Sequence, residues 1–335
     1  MSEINSIVAA IKNGDVKPIY FLMGEEPYYI DKISEFIENN VLQESEKGFN
    51  QVVMYGRDVS IDEITSSAKR YPMMSEKQVL IVKEAQDLSR SIEKLLSYAE
   101  NPQPTTVLVL NYKYKKLDKR KRIYKAIEKS GVIFDSKKLY ENQVSDWIRR
   151  VLSGKHYKIE PKASQMLVEF LGTDLSKINN EIEKLISILP KETIISPNHI
   201  EKNIGISKDF NNFELRKAIG EKQIVKANRI INYFAENPKR NPLLMTIALL
   251  NSFFTQLLQY HGLKSKDKFS VAKALGVNPY FVGDYASAAS RYPMRKVSQI
   301  IELLREADMK SKGVGATNST SQSDILKELL FKIMH

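Results

Sequence analysis

Residues 19–37 read IYFLMGEEPYYIDKISEFI, and this stretch decides the fold of the first part of the chain. The apolar run Ile19–Met23 predicts a strand that is buried on both faces, as the strands of a parallel sheet are. After a short turn, apolar residues recur from Tyr29 to Val41 at the spacing of one helix face. The stretch therefore predicts a strand followed by a helix, the pattern typical of an α/β fold.

The same alternation continues up to about residue 140. Ser60 and Glu63 have the spacing of a capping box, which predicts the start of a helix. Residues 1–140 are therefore expected to form an α/β domain with a parallel sheet covered by helices. Four further runs rich in apolar residues predict strands at Gln51–Tyr55, Val79–Val82, Thr106–Leu110 and Val132–Phe134.

From residue 141 onward, helical patterns replace the strands. We predict a small helical lid domain over residues 141–208 and an all-α bundle over residues 209–335. Within the bundle, Ser311–Gln322 is rich in Gly, Ser, Thr and Asn, which predicts a loop. The last helix is expected at Asp324–Met334.

The composition excludes several classes of protein. The 335 residues contain no cysteine, which rules out disulfides, thiolate nucleophiles and cysteine-ligated metals and fits a reducing compartment. No run approaches the ~20 apolar residues of a membrane-spanning helix. The first residues also lack the basic start and apolar core of a secretory signal. We therefore expect a cytoplasmic protein with no membrane segment.

The turn after the first strand lacks the residues that bind a nucleotide. A Walker A loop needs G-x-x-x-x-G-K-[ST], but Gly24 is followed by two acidic residues, which repel phosphate, and by Pro27, which has no N–H to donate. Lys83, after the third predicted strand, stands in place of a carboxylate that would hold Mg²⁺. The four histidines show no metal-binding spacing. We expect no catalytic residue, no metal site, no cofactor and no ATP hydrolysis.

The segment Asn111–Lys129 is strongly basic. It reads NYKYKKLDKRKRIYKAIEK, with nine basic residues against Asp118 and Glu128, so it carries +7 of the formal net charge of +11. Such a stripe can neutralise phosphates, and Tyr112 and Tyr114 are available for stacking on bases. The alternative is a solvated helix that only aids solubility, and both interpretations stay open. The candidate nucleic-acid-binding residues are Lys113, Lys115, Lys116, Lys119, Arg120, Arg122 and Lys125.

A short connection before the strand Val79–Val82 is unusually apolar. It contains Tyr71, Pro72, Met73 and Met74, whereas a connection of this length is normally polar. One interpretation is an apolar anchor for a partner protein. The other is that Met73 and Met74 tuck under the sheet, since methionine fills irregular core sites readily.

Several short motifs occur in a fixed order along the whole chain. With this order and spacing, the chain resembles the delta subunits of bacterial DNA polymerase III, which are part of the loader of the sliding clamp. The resemblance implies an AAA+-like α/β domain without a working nucleotide site, a small helical domain and an all-α collar domain for assembly of the loader. The motifs are Lys17–Tyr28, Arg70–Val82, Leu117–Arg120, Trp147-Ile148, Gly172–Leu175, Asn180–Leu185 and Leu304–Lys310.

The resemblance also implies a binding site and partners. Family members use the loop before the third strand as a wedge that enters a pocket on the clamp, and the corresponding residues here are Tyr71, Pro72, Met73 and Met74. The family commonly has Leu-Phe or two aromatic residues at the pair, so Met73-Met74 departs from its pattern. The implied partners are the sliding clamp (beta subunit), the gamma/tau and delta prime subunits through the collar, and primed DNA through the basic helix.

The implied role is to bind and open the clamp during DNA replication, in the cytoplasm at the nucleoid-associated replisome. Two other functions are also compatible with the sequence. One is an active AAA+ remodelling ATPase, which ATP hydrolysis by the isolated chain would support. The other is a stand-alone basic nucleic-acid-binding protein, which would bind DNA tightly and ignore the clamp.

Overall fold

A five-stranded parallel sheet forms the centre of the first part of the chain. The computed structural model describes residues 2–315 and 321–335. The five strands are β1 (Ile19–Gly24), β2 (Gln51–Tyr55), β3 (Gln78–Lys83), β4 (Thr106–Lys113) and β5 (Val132–Ser136). Their spatial order is β2-β3-β4-β1-β5, and every neighbouring pair is parallel. All five predicted strands are confirmed, and four of them are one to three residues longer than predicted.

Helices cover both faces of this sheet. Tyr20 and Leu22 pack in one buried cluster with Ile33 of the second helix, whereas Phe21 packs on the opposite face with Ile123 of the sixth. This alternation confirms the predicted arrangement of a sheet between two helical layers. The helices are α1 (Ser2–Lys12), α2 (Pro27–Asn40), α3 (Glu44–Asn50), α4 (Ile61–Ala68), α5 (Leu96–Glu100) and α6 (Arg122–Ser130), with single 3-10 turns at Ala85–Leu88 and Ile92–Leu95.

Helix α4 begins at the predicted capping box. The Glu63 N–H donates to Ser60 Oγ at 3.2 Å, and the Ser60 N–H donates to Glu63 Oε2 at 2.7 Å. These reciprocal bonds satisfy N–H groups that have no partner within the helix. They fix the start of the helix whose other end, Ala68, leads into the apolar connection.

The second part of the chain, Tyr140–His335, forms its own compact unit and is almost entirely helical. Two-residue strands β6 (Lys158–Ile159) and β7 (Ile194–Ile195) pair in parallel and were not predicted, because two residues carry no periodic signal. The predicted separation of residues 141–208 from residues 209–335 stays a prediction. The first four helices of this unit are α7 (Glu141–Ser153), α8 (Pro161–Leu171), α9 (Leu175–Ile188) and α10 (Pro197–Ile204).

Seven more helices complete this unit around one large apolar cluster. The last of them confirms the predicted C-terminal helix, whereas residues 316–320 of the predicted loop lie outside the described residues. The α/β sheet domain followed by an all-helical region confirms the predicted fold class. The helices are α11 (Asn212–Gly220), α12 (Ile224–Glu236), α13 (Leu243–Gly262), α14 (Lys268–Leu275), α15 (Val282–Arg291), α16 (Met294–Ser311) and α17 (Gln322–Met334), with a 3-10 turn at Pro279–Phe281.

Helix α13 corrects one expectation from the sequence. Its 20 residues are, by length and composition, sufficient to cross a membrane, so the statement that no run approaches that length was wrong. Leu250, Phe253, Phe254 and Leu257 of this helix are nevertheless buried in the apolar cluster of the bundle. A single core helix of a globular bundle commonly meets the same criterion, so α13 is weak support for a membrane segment.

Candidate partner-binding site

The apolar connection between α4 and β3, here called the 69–77 loop, projects two methionine side chains into solvent. Met73 is 62% exposed and Met74 is 104% exposed, and the Tyr71 side chain is also exposed. Pro72 is partly exposed. The interpretation in which Met73 and Met74 tuck under the sheet is therefore wrong. All four predicted residues lie on one short stretch, and Met74 is the most exposed of them.

Asn50, the last residue of α3, holds the middle of this loop. Its side chain is buried, with 3% of the residue exposed. The Met73 N–H donates to Asn50 Oδ1 at 2.7 Å, and Asn50 Nδ2 donates to the Met73 carbonyl at 2.9 Å. No local pattern connects positions 50 and 73, so the sequence alone does not reveal this residue.

A second pair of polar residues anchors the start of the loop. Gln78 Nε2 donates to the Arg70 carbonyl at 2.6 Å and to Thr106 Oγ1 at 2.8 Å. Thr106 Oγ1 in turn donates to the carbonyl of Ala68 at 2.7 Å. Because Gln78 and Thr106 begin β3 and β4, the sheet itself fixes the base of the loop.

The backbone of Met74 is in the left-handed region, with φ of 53°. Residues other than glycine rarely adopt this conformation, and it costs on the order of 1–3 kcal/mol. Such conformations persist where the surrounding structure constrains the backbone, and here the Asn50 bonds hold Met73, the residue directly before Met74, while Gln78 holds Arg70. The loop is thus a fixed projection with the Met74 side chain at its tip.

Strand β2 adds further exposed apolar surface beside Asn50. Val52, Val53 and Tyr55 of β2 are exposed, and so is Phe49 near the end of α3, although an apolar run such as QVVMY is typical of a buried strand. The reason is that β2 lies at the edge of the sheet, next to β3 alone. The sequence does not reveal the order of the strands, so this surface cannot be found from the sequence.

The turn after β1 uses its own N–H groups for contacts within the protein. The Gly24 N–H donates to the Lys115 carbonyl at 3.1 Å, and the Glu25 N–H donates to the Ser136 carbonyl at 2.8 Å. Gly24 has φ of 126°, and a Cβ placed on it would lie 2.1 Å from the Ser136 carbonyl oxygen. The glycine therefore serves the close approach of β5, and these two amides are not directed at a phosphate.

Lys113, at the end of β4, forms two ion pairs at the carboxyl edge of the sheet. Its Nζ lies 2.9 Å from Asp31 and 2.8 Å from Glu84. Burial alone would lower the pKa of Lys113, but the hydrogen bonds with Glu84 and Asp31 outweigh burial and hold that pKa above its ordinary value. Likewise, burial would raise the pKa of Glu84, but hydrogen bonds from Lys113 and Gln86 lower it. The single cation Lys113 is therefore paired with two carboxylates of the same protein.

Most of the predicted nucleic-acid-binding residues also have local partners. Lys115 Nζ donates to Ser89 Oγ at 2.8 Å, and four basic side chains of the segment besides Lys113 form ion pairs. Within residues 2–315 and 321–335, the candidates that are exposed and form no ion pair are Lys115, Lys119 and Lys125. The four pairs are Lys116–Asp135 at 2.9 Å, Arg120–Asp118 at 2.7 Å, Arg122–Glu100 at 3.1 Å and Lys121–Glu93.

The two tyrosines proposed for base stacking differ in their exposure to solvent. Tyr112 is buried and packs on Phe21, with ring centroids 5.2 Å apart, so its availability for stacking was wrongly predicted. The cause is that β4 continues to Lys113 and the alternation of the strand turns Tyr112 inward. Tyr114 is exposed, as that interpretation requires. In the part of the chain that the structure describes, no group of three or more His, Asp or Glu residues could hold a metal ion.

Both halves of the chain match models of one family. Residues 20–137 match the model described as DNA polymerase III, delta subunit, and residues 209–329 match the model for the C-terminal domain of that subunit. The DNA polymerase III subunit delta of Bacillus subtilis is 27% identical over 315 residues, which cover 90% of both chains. A probable DNA polymerase III subunit delta of Aquifex aeolicus is 21% identical over 79% of this chain and 77% of its own.

A solved structure supports the same relationship over nearly the full length. The Bacillus subtilis DNA clamp loader delta protein superposes with a TM-score of 0.56 at 25% identity, and the alignment covers 99% of each chain. The two family models and this structure agree with the family that the sequence motifs resemble.

Proposed function

Because the chain belongs to the family of DNA polymerase III delta subunits, we propose that it acts in a clamp loader by binding the sliding clamp through Tyr71, Pro72, Met73 and Met74. The observation that carries the proposal is the exposure of the Met73 and Met74 side chains on a loop fixed by Asn50. An apolar pair that projects from a fixed loop suits insertion into a hydrophobic pocket of a partner.

The size of the methionine side chains sets the scale of the interaction. Full burial of one such side chain supplies roughly 1.5–3 kcal/mol, so the pair can supply roughly 3–6 kcal/mol. This corresponds to a factor on the order of 10² to 10⁴ in affinity. Methionine is also adaptable in shape, which suits a pocket that accepts Leu-Phe or aromatic pairs in relatives.

The chemistry of the proposed role is differential binding. Docking of Met73 and Met74 biases the clamp ring toward an open state, which requires only that the open form is bound more tightly than the closed form. The chain itself is an accessory subunit without intrinsic catalysis in this proposal. This proposal is supported by the Gly24 and Glu25 N–H groups, which bond within the protein, and by the paired charge of Lys113.

The remaining partners follow from the same proposal. Residues 209–335 form the collar that assembles with the gamma/tau and delta prime subunits in the bacterial cytoplasm. Lys119 and Lys125 are the basic side chains proposed to meet primed DNA, since both are exposed and neither forms an ion pair within the described residues. The extensive pairing of the other candidates weighs against a stand-alone nucleic-acid-binding protein.

The test is clamp binding measured by surface plasmon resonance with the full chain. Met73→Ser/Met74→Ser should weaken binding about 10²- to 10⁴-fold, because the two apolar side chains no longer fill the pocket. Met294→Ser is the matched control, since Met294 is a half-exposed methionine on α16, in the second unit. Unchanged affinity of the double variant would overturn the wedge assignment.

A further inference from the structure

We propose that Asn50 is the positioning residue of the 69–77 loop and sets the affinity for the clamp without touching it. This inference rests on the proposed function, because it assigns to Asn50 the task of presenting Met73 and Met74. Its basis is one buried side chain on α3 that bonds to both polar groups of the Met73 backbone, 23 residues away. Nothing in the motifs of the sequence points to this residue.

The two bonds run in opposite directions. Asn50 Oδ1 accepts the Met73 N–H at 2.7 Å, and Asn50 Nδ2 donates to the Met73 carbonyl at 2.9 Å. This is the pattern by which one strand residue pairs with another, so the amide side chain substitutes for a neighbouring strand. A single bond would leave the Met73 backbone free to rotate about it, whereas two bonds fix both its position and its orientation.

Asn50 is itself held in place. Its Nδ2 also donates to the Glu46 carbonyl at 3.1 Å, four residues earlier on α3, and the residue is 3% exposed. An asparagine amide has two N–H donors, so Glu46 and Met73 together use both of them. The position of the loop relative to α3 is therefore fixed by the Asn50 amide.

The backbone conformation of Met74 indicates why the Asn50 bonds to Met73 are needed. Met74 has φ of 53°, which a residue with a side chain adopts only when its surroundings impose it. Without the Asn50 bonds, the loop can relax to other backbone conformations and carry the methionine pair to other positions. Binding would then have to restore the order of the loop, and affinity falls by the cost of that restoration.

Access of a partner to the methionine pair does not depend on a movement of the 69–77 loop. Met73 and Met74 are already exposed and fixed in the single chain, so access to them does not require a rearrangement within this loop.

The first experiment is Asn50→Ala in the full chain, with affinity for the sliding clamp and hydrogen exchange of peptides that span residues 70–77 as the two measurements. Loss of two hydrogen bonds is expected to weaken binding roughly 5- to 100-fold and to speed exchange of the Met73 amide. Asn40→Ala is the matched control. Asn40 is also the last residue of a helix, α2, and its Nδ2 donates to the Phe36 carbonyl four residues earlier, at 2.8 Å.

A double-mutant cycle separates positioning from direct contact. In the Met73→Ser/Met74→Ser background, Asn50→Ala should have no further effect on clamp affinity, because Asn50 acts only through the methionine pair. Additive losses would overturn the inference, as would unchanged Met73 exchange in Asn50→Ala. If the methionine variant keeps full affinity, the proposed function fails instead, and the exchange measurement still decides whether Asn50 fixes the loop.

Asn50→Asp covers the case in which Asn50→Ala does not fold. The aspartate has the same size and still accepts the Met73 N–H, but it places an oxygen opposite the Met73 carbonyl, where Nδ2 donates in the native chain. We expect weaker clamp binding with an unchanged circular dichroism spectrum. Native affinity for this variant would contradict the inference, because the donor to Met73 is then dispensable.

Discussion

Lys113 and Glu84 form an ion pair of 2.8 Å at the carboxyl edge of the parallel sheet. Ligands of open α/β sheets bind outside this edge, where the strands end. Here Lys113 comes from the end of β4 and Glu84 follows β3, and Asp31 of α2 completes the cluster at 2.9 Å from Lys113. At this edge the charge of Lys113 is thus paired within the protein, with the carboxylates of Asp31 and Glu84.

Lys113→Met should therefore destabilise the protein. The substitution leaves Asp31 and Glu84 without their cation, and Lys113 has only 14% of its side chain exposed. We expect a loss of about 1–3 kcal/mol in the free energy of unfolding, measured by urea denaturation. Lys119→Met is the control, because Lys119 is exposed and should change stability by less than about 0.5 kcal/mol. Equal effects of both variants would contradict the prediction.

Glu214 predicts a pH dependence in the helical unit. Burial would raise its pKa, but hydrogen bonds from Lys162 and Lys226, both at 2.5 Å, outweigh burial and lower it from the ordinary value of 4.5. A carboxylate with a lowered pKa stabilises the fold above the unfolded value, and this contribution is lost as the pH falls through the folded value.

Glu214→Gln should accordingly cost about 1–3 kcal/mol at pH 7, because two lysines lose a charged partner. The difference from the native chain should begin to shrink below about pH 4.5, where Glu214 of the unfolded chain becomes protonated, and should disappear once the pH falls below the lowered pKa of Glu214 in the folded protein. Thermal unfolding between pH 3 and pH 7 measures both effects. A difference that stays constant over this range would show that Glu214 does not stabilise the fold through its charge.

Gly24→Ala should be strongly destabilising. The new Cβ would lie 2.1 Å from the Ser136 carbonyl oxygen, and φ of 126° is unfavourable for alanine. We expect a loss of at least about 3 kcal/mol in the free energy of unfolding, since both strain and displacement of β5 contribute. Gly48→Ala is the matched control. Its Cβ would meet no atom within 4 Å on α3, so it should be neutral or stabilise by up to about 1 kcal/mol.

Lys119→Glu/Lys125→Glu tests the proposed contact with primed DNA in the assembled loader. Each neutralised phosphate of duplex DNA contributes about 0.9 to the slope of log affinity against log salt. Loss of two contacts should therefore weaken binding and reduce the magnitude of this slope by roughly 1.8. Lys121→Glu is the control, because its ammonium group already pairs with Glu93. A slope that does not change in the double variant would exclude these residues from the DNA contact.

Local signals made a large part of the fold predictable. The strands were found because buried parallel strands are nearly continuous apolar runs, and α4 was found because Ser60 and Glu63 form a capping box within four residues. The methionine pair was recognised because apolar side chains are unusual in a short connection. Each of these signals is contained in a few neighbouring residues.

The features that were missed depend on residues far apart in the sequence. Tyr112 was assigned to the surface because the register with β1, which extends β4 to Lys113, cannot be read from β4 alone. The ion pairs of the basic segment join it to Glu84, Glu93, Glu100 and Asp135, so the net charge overstated what is available to a polyanion.

The sequence by itself determined the five strands of the first part of the chain, the helical character of the second part, the departure from the Walker A pattern after β1, and the position of Tyr71, Pro72, Met73 and Met74 before β3. Only the tertiary structure decided that the methionine pair is exposed and that Asn50 fixes it, because α3 and the 69–77 loop become neighbours only when β2 pairs with β3. Local propensity depends on adjacent residues, whereas exposure depends on what the whole fold places against each side chain.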